Sequence, residues 1–128
     1  MVILLRKMQF YAHIAHNVLG GSTFFQDHEF LGALYAEYEN DYDSLVERAI
    51  GLDEEVDLIS VHKDAVEGLK NPSDYKSCFK ELLKYEKELC LLCEEVAEDS
   101  TLGTNNLIAA IADKSELRQY KMKQRLKG

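Results

Sequence analysis

The sequence predicts an all-α fold, four long helices with a short helix in the connection between the second and third. Three observations predict it. One proline and seven glycines in 128 residues, with 30% of the side chains charged, leave long stretches free of helix breakers. Apolar residues recur at three- and four-residue spacing through those stretches and nowhere alternate as in a strand. The breaks that do occur, at Gly20-Gly21, Gly51, Asn71-Pro72 and Glu98 to Thr104, divide the chain into segments of helical length. A chain of this size is expected to form one domain, residues 1–128, large enough for a real core.

Residues 2–18 are apolar around most of the turn, through Ile3, Leu4, Met8, Tyr11, Ile14, Ala15 and Val18, and predict a largely buried first helix. After the glycine pair, Thr23 and Gln26 form a T-x-x-Q capping box that opens the second helix, residues 24–51. Its inward stripe runs through Leu31, Leu34, Tyr35, Tyr38, Leu45, Ala49 and Leu52. Asp53 is the expected N-cap of a shorter helix through Val56, Ile59, Val61, Val66 and Leu69, closed by Asn71 and Pro72. The third long helix covers 73–97 with Phe79, Leu82, Leu83, Leu89, Cys90, Cys93 and Val96. The last covers 105–126 with Leu107, Ile108, Ile111, Leu117 and Tyr120 inward. A short helix between the middle pair supplies the long crossover that a bundle needs to run two helices parallel.

Charge and composition narrow the function. A formal net charge of −8 argues against a general nucleic-acid binder and fits a protein that handles cations. The last 15 residues depart from this, holding Lys114, Arg118, Lys121, Lys123, Arg125 and Lys127 against Glu116 alone. Cations at a helix C-terminus complement its dipole, and a short basic tail touching DNA or an acidic partner is the sharper alternative. No segment approaches the roughly 18 uninterrupted apolar residues of a membrane span, and MVILLRKMQF is too short and too soon charged for a signal peptide, so a cytoplasmic location is expected. The cysteines, Cys78, Cys90 and Cys93, fall in one helix. Cys90-x-x-Cys93 lacks a second pair and reads as small core residues.

The chemistry concentrates between His16 and Glu47. His16, His28, Asp43 and Glu47 follow at intervals of 12, 15 and 4, two imidazoles and two carboxylates suited to a divalent first-row metal. His16 precedes the Gly-Gly break by one turn and His28 follows Thr23 by about one turn, so the two imidazoles should face each other at the end of a helical hairpin. Asp43 and Glu47, at i and i+4, share one helix face. Fifteen residues of unbroken helix put His28 and Asp43 about 22 Å apart, whereas metal ligands lie about 2 Å from the ion. Only Gly32 interrupts that helix. A site shared between two antiparallel, two-fold related chains is therefore preferred, with two such sites per dimer.

The run HNVLGGSTFFQDHEFLGALYAEYENDYDSLVERAIGL, His16 to Leu52, resembles the Dps family of mini-ferritins, the DNA-binding proteins from starved cells. The shared pattern is a histidine, a glycine turn, Phe-Phe, a second histidine, Leu-Tyr and then Asp-x-x-x-Glu-Arg. The resemblance implies a ferritin-like four-helix bundle assembled as a hollow homo-dodecamer. It also implies a ferroxidase that oxidises Fe(II) between two-fold related subunits, preferably with hydrogen peroxide, and stores the ferric mineral inside. His16 and His28 of one subunit and Glu47 of its partner would hold the first iron, with Asp43 bridging or alongside. Gly32 stands where many members carry an aspartate, and Asn17 where a tryptophan often follows the first histidine. Tyr35, Tyr38 and Tyr42 are candidates for absorbing stray oxidising equivalents, though tyrosines at helical spacing are more often core. Glu98 and Asp99, with Glu94 and Glu95, fall in the region that forms acidic three-fold pores in this family and are the candidate path by which iron enters. A lysine-rich N-terminal extension is not seen, so DNA binding is not carried over. A Dps-like structural or DNA-protecting cage with weak or no oxidation is the alternative reading.

Overall fold

A computed structural model of the chain describes residues 1–128. It contains five helices: α1 (Val2–Val18), α2 (Phe24–Gly51), α3 (Leu58–Val66), α4 (Tyr75–Ala97) and α5 (Leu102–Lys127). The expected all-α architecture is what is found, four long helices with the nine-residue α3 between the second and third long ones. No helix is long and apolar enough to cross a membrane. The chain divides into two compact units, residues 2–78 and residues 79–128 joined by Met1.

In the first unit α1 packs on both α2 and α3. Leu5, Met8, Ala12 and Ala15 meet the α2 stripe of Leu31, Leu34, Tyr38 and Tyr42, all buried. Each fully buried leucine contributes roughly 1.5–3 kcal/mol over an exposed one. The inward face of α1 is narrower than its composition suggests, because Ile3 and Val18 lie at the surface while Arg6 and Gln9 are buried. Arg6 can be inside because its guanidinium lies 3.4 Å from the centre of the Tyr42 ring and donates to Gln9 Oε1 at 2.9 Å. Tyr42 in turn hydrogen-bonds His62 Nε2 at 3.3 Å, fastening α3 to α2.

Several boundaries differ from the sequence reading, each because a different local bond forms. The Thr23 hydroxyl caps no backbone amide of α2 and donates instead to Asp27 Oδ2 at 2.7 Å, so the Thr23–Gln26 capping box is not made. Asp53 is not the α3 cap. It adopts φ 64° in the turn after α2, and Asp57 does the capping, accepting from Ser60 N at 3.2 Å. The short helix ends at Val66, before Gly68 at φ 77°, rather than running to Leu69. Helix α5 starts at Leu102, earlier than expected, because the Thr101 hydroxyl accepts from Thr104 N at 3.1 Å.

In the second unit the buried face of α5 is Ile108, Ile111, Ser115, Arg118 and Met122, while Leu117 and Tyr120 are exposed rather than inward. The register is set by a buried ion pair. Arg118 Nε meets Glu86 Oε2 of α4 at 2.5 Å and its Nη2 meets Oε1 at 3.0 Å, while the Ser115 hydroxyl donates to the same carboxylate at 3.1 Å. Glu86 is fully buried, and turning Leu117 inward would carry Arg118 away from it. Arg125 lies over Phe79 at 5.6 Å. Arg118 and Arg125 of the C-terminal cations thus have partners inside the fold.

Candidate functional site

Gly21 makes the reversal between α1 and α2 at φ 124°, a backbone conformation open to glycine. The Tyr75 hydroxyl donates to Leu19 O at 3.1 Å and anchors the chain just before that turn. The consequence is the expected meeting of the two histidines, whose rings stack with centroids 3.7 Å apart and planes 17° from parallel.

Their hydrogen bonds are reciprocal. His16 Nδ1 donates to the His28 carbonyl at 2.8 Å, and His28 Nδ1 donates to the His16 carbonyl at 2.8 Å. A carbonyl oxygen only accepts, so both Nδ1 atoms carry the proton. In the neutral ring that leaves Nε2 with its lone pair. Binding one nitrogen to a backbone carbonyl and offering the other is how metal-ligating histidines are usually oriented.

Aromatic rings confine the pair from both sides. Phe24 stacks on His28 at 4.6 Å, and Tyr35 meets the edge of His16 at 5.4 Å. His13 lies flat on Tyr35, 4.0 Å away and 4° from parallel, and 6.2 Å from His16. It is thus a neighbour of the pair rather than a member.

The role of Gly32 was missed in the sequence. A Cβ there would come within 3.1 Å of His16 Cε1 and 3.3 Å of His16 Nδ1, so the missing side chain is what admits the ring. The signal was present, since a glycine inside a helix costs about 1 kcal/mol against alanine and calls for a reason. Three buried acids, Asp27, Asp41 and Glu86, were also missed; Asp27 accepts from Thr23 on the same turn, and Glu86 is held by Ser115 and Arg118, about 30 residues away.

Asp43 and Glu47 lie on the same unbroken α2, both exposed. Glu47 borders an open hollow with Ser44, Arg48, Gly51 and Leu52. Helix α2 keeps its hydrogen-bonded course from Phe24 to Gly51, so the rise from His28 to Asp43 stays near 22 Å. The structure brings the two histidines together and leaves the two carboxylates apart from them. No three histidine, cysteine, aspartate or glutamate side chains of one chain converge on a point that would hold a metal. Glu98 and Asp99 are exposed in the turn between α4 and α5.

Four long helices with a short one in the middle connection, and two oriented imidazoles at a hairpin end, define a class of all-α four-helix proteins. Residues 5–127 match the model of the ferritin-like domain, and the chain belongs to that family. No curated protein matches it. Among solved structures it is similar to antigen TpF1 from Treponema pallidum, with TM-score 0.81 and 17% identity over 99% of this chain and 91% of that one. Dps from Microbacterium arborescens in the high iron form gives TM-score 0.82 and 16% identity over 99% and 90%. Dps from Thermosynechococcus elongatus gives 0.78 and 19% over 98% and 88%. At these identities what is shared is the fold.

Proposed function

We propose that this chain is a Dps-type mini-ferritin subunit that oxidises Fe(II) at sites shared between two-fold related subunits and stores the ferric product within a hollow cage, a dodecamer by the family pattern. The observation that carries the reading is the stacked pair His16 and His28. Both rings have their Nδ1 protons committed to carbonyls, and the carboxylates that would complete a site lie about 22 Å (Asp43) and about 28 Å (Glu47) from His28 along a rigid helix. An antiparallel second copy supplies Asp43 and Glu47 to the first chain's histidines and receives the same in return.

In this reading the imidazoles offer Nε2 to ferrous iron, their Nδ1 atoms being held by backbone carbonyls; the near-parallel stack sets the two lone pairs side by side, so joining both to one ion requires a ring to turn. Asp43 and Glu47 of the opposing chain offset the charge that grows as iron becomes ferric. Hydrogen peroxide, the preferred oxidant, accepts one electron from each of two ferrous ions. Its O–O bond breaks and two protons complete two waters, so no hydroxyl radical is released. The exposed Glu98 and Asp99 are the proposed route of iron into the cage. A cage that binds iron without oxidising it quickly is favoured by one observation, that position 32 offers no carboxylate and its space is taken by His16.

The test is stopped-flow oxidation of anaerobically bound Fe(II) by peroxide and by dioxygen, on wild type, His28→Ala and Glu47→Ala. Fast, saturable oxidation favouring peroxide, lost in both variants, is expected. Co-assembled His28→Ala and Glu47→Ala subunits regain part of it, because some interfaces then join an intact histidine pair to an intact carboxylate pair. No regain would overturn the shared site, and binding without faster oxidation in wild type would establish the inactive cage.

A further inference from the structure

A second set of metal-compatible atoms lies in the unit formed by residues 79–128 and Met1, on side chains that the iron reading does not use. Cys93 is 3% exposed, and its Sγ lies 3.8 Å from the Met1 thioether sulfur. Cys90, one turn earlier on α4, lines with Cys93 a cavity of about 250 Å³ whose walls include Glu94, Asn105 and Glu116. The Cys90 sulfur accepts from Gln119 Nε2 at 3.4 Å and its thiol donates to Ser115 Oγ at 3.4 Å. Asn105 contributes a buried Oδ1 that has no hydrogen-bond partner.

The sulfur spacing is informative. Two sulfurs each about 2.3 Å from one ion, at a trigonal or tetrahedral angle, are about 3.8–4.0 Å apart. Cys93 and Met1 already stand at that separation. A disulfide is not the alternative use, because Cβ atoms at i and i+3 of a helix lie about 5–6 Å apart and a disulfide needs about 3.5–4.5 Å. Neither cysteine is part of a disulfide. A donor set of thiolate and thioether selects soft cations over the hard or borderline ions that carboxylate and imidazole prefer.

We propose that Cys93, Cys90 and the Met1 thioether form a binding site for Cu(I), a soft monovalent cation, at the wall of this cavity. Each thiol releases its proton as its Cu–S bond forms, so binding acidifies an unbuffered solution. Glu94 and Glu116 supply a negative field for the incoming ion, and Gln119 orients the Cys90 sulfur toward it. The proposal stands independently of the iron site, which uses nitrogen and oxygen donors on α1 and α2.

The experiment is an anaerobic titration of the full chain with Cu(I) in competition with a chromogenic Cu(I) chelator, after intact mass has confirmed that Met1 is retained. One Cu(I) per chain is expected, with affinity falling about 100-fold or more in Cys93→Ser and about 10-fold or more in Cys90→Ser, as loss of a primary ligand requires. Cys78→Ser is the control and leaves binding unchanged; burial pushes that thiol up to about 12, and it lies outside the cavity wall. X-ray absorption at the copper edge of the wild-type complex shows an all-sulfur shell, a readout that depends on no variant. Absence of Cu(I) binding, an unaltered affinity in the Cys90→Ser/Cys93→Ser double variant, or a nitrogen and oxygen shell each overturns the proposal. Zn(II) bound as tightly as Cu(I) overturns its selectivity for a soft ion.

Discussion

Replacing Gly32 with alanine sets helix propensity against the position of the His16 ring. In a solvated helix the change would stabilise by about 1 kcal/mol, because glycine loses more backbone freedom on folding. Here the new Cβ sits 3.1 Å from His16 Cε1 and 3.3 Å from Nδ1. Carbon contacts are optimal at about 3.5–4.0 Å, so the ring must retreat by about 0.4 Å. It cannot do so freely, held by a 2.8 Å bond to the His28 carbonyl, receiving the partner bond in return, and stacked at 3.7 Å on His28. Stretching one such bond toward about 3.2 Å gives up much of a contribution near 1 kcal/mol. The two effects nearly cancel, and the global stability measured by urea unfolding should stay within about 1 kcal/mol of wild type.

Iron chemistry should not be spared. Metal–ligand distances tolerate about 0.2 Å, half the displacement the methyl group imposes, so if His16 holds iron as proposed, Fe(II) affinity and the rate of its oxidation should fall about 10-fold or more. An aspartate at position 32 would meet the same contact, which is why a carboxylate cannot simply be added there. Stopped-flow oxidation and anaerobic Fe(II) titration read the two quantities. A variant stabilised by the full propensity gain and oxidising iron at the wild-type rate would refute the packing of His16 against Gly32 as the reason for the glycine.

Two other predictions concern the fold. Glu86→Ala strands Arg118, which is 4% exposed, without its carboxylate, and should destabilise by about 3–5 kcal/mol in chemical denaturation; the joint Glu86→Leu/Arg118→Met replacement should lose much less. A loss below about 1 kcal/mol in the single variant would show that the pair does not hold α4 to α5. Asp57 is held below the usual carboxylate range by the Ser60 backbone amide and hydroxyl. A depressed folded pKa means that its contribution to α3 is present above the ordinary aspartate range and is lost as pH falls through the folded value. Hydrogen-exchange protection of the α3 amides should therefore drop selectively on acidification in wild type. Asp57→Asn should flatten that dependence, and an equal drop in the variant would assign the effect to another group.

What the sequence determined by itself is whatever depends on neighbours along the chain. Helix type and order follow from periodicity and the scarcity of breakers, and the histidine meeting follows from a glycine turn one helical turn after His16 and a helix start at Thr23 about one turn before His28. The separation of His28 from Asp43 follows from helix rise alone. What only the tertiary structure decided is which of several competing local bonds forms and which partners distant in sequence meet. Thr23 turned from a cap to Asp27, and Asp57 rather than Asp53 capped α3, because several polar residues compete within a turn and only packing selects one. The inward face of α5 was misread because the pattern counts Leu117 and Tyr120 as core, whereas a carboxylate 32 residues away from Arg118 turns that helix to bury the arginine. Gly32 read as an absent ligand until the His16 ring was seen in its place. A contact across two helices leaves no trace in the spacing of either, since its energy belongs to a pair that only the fold brings together.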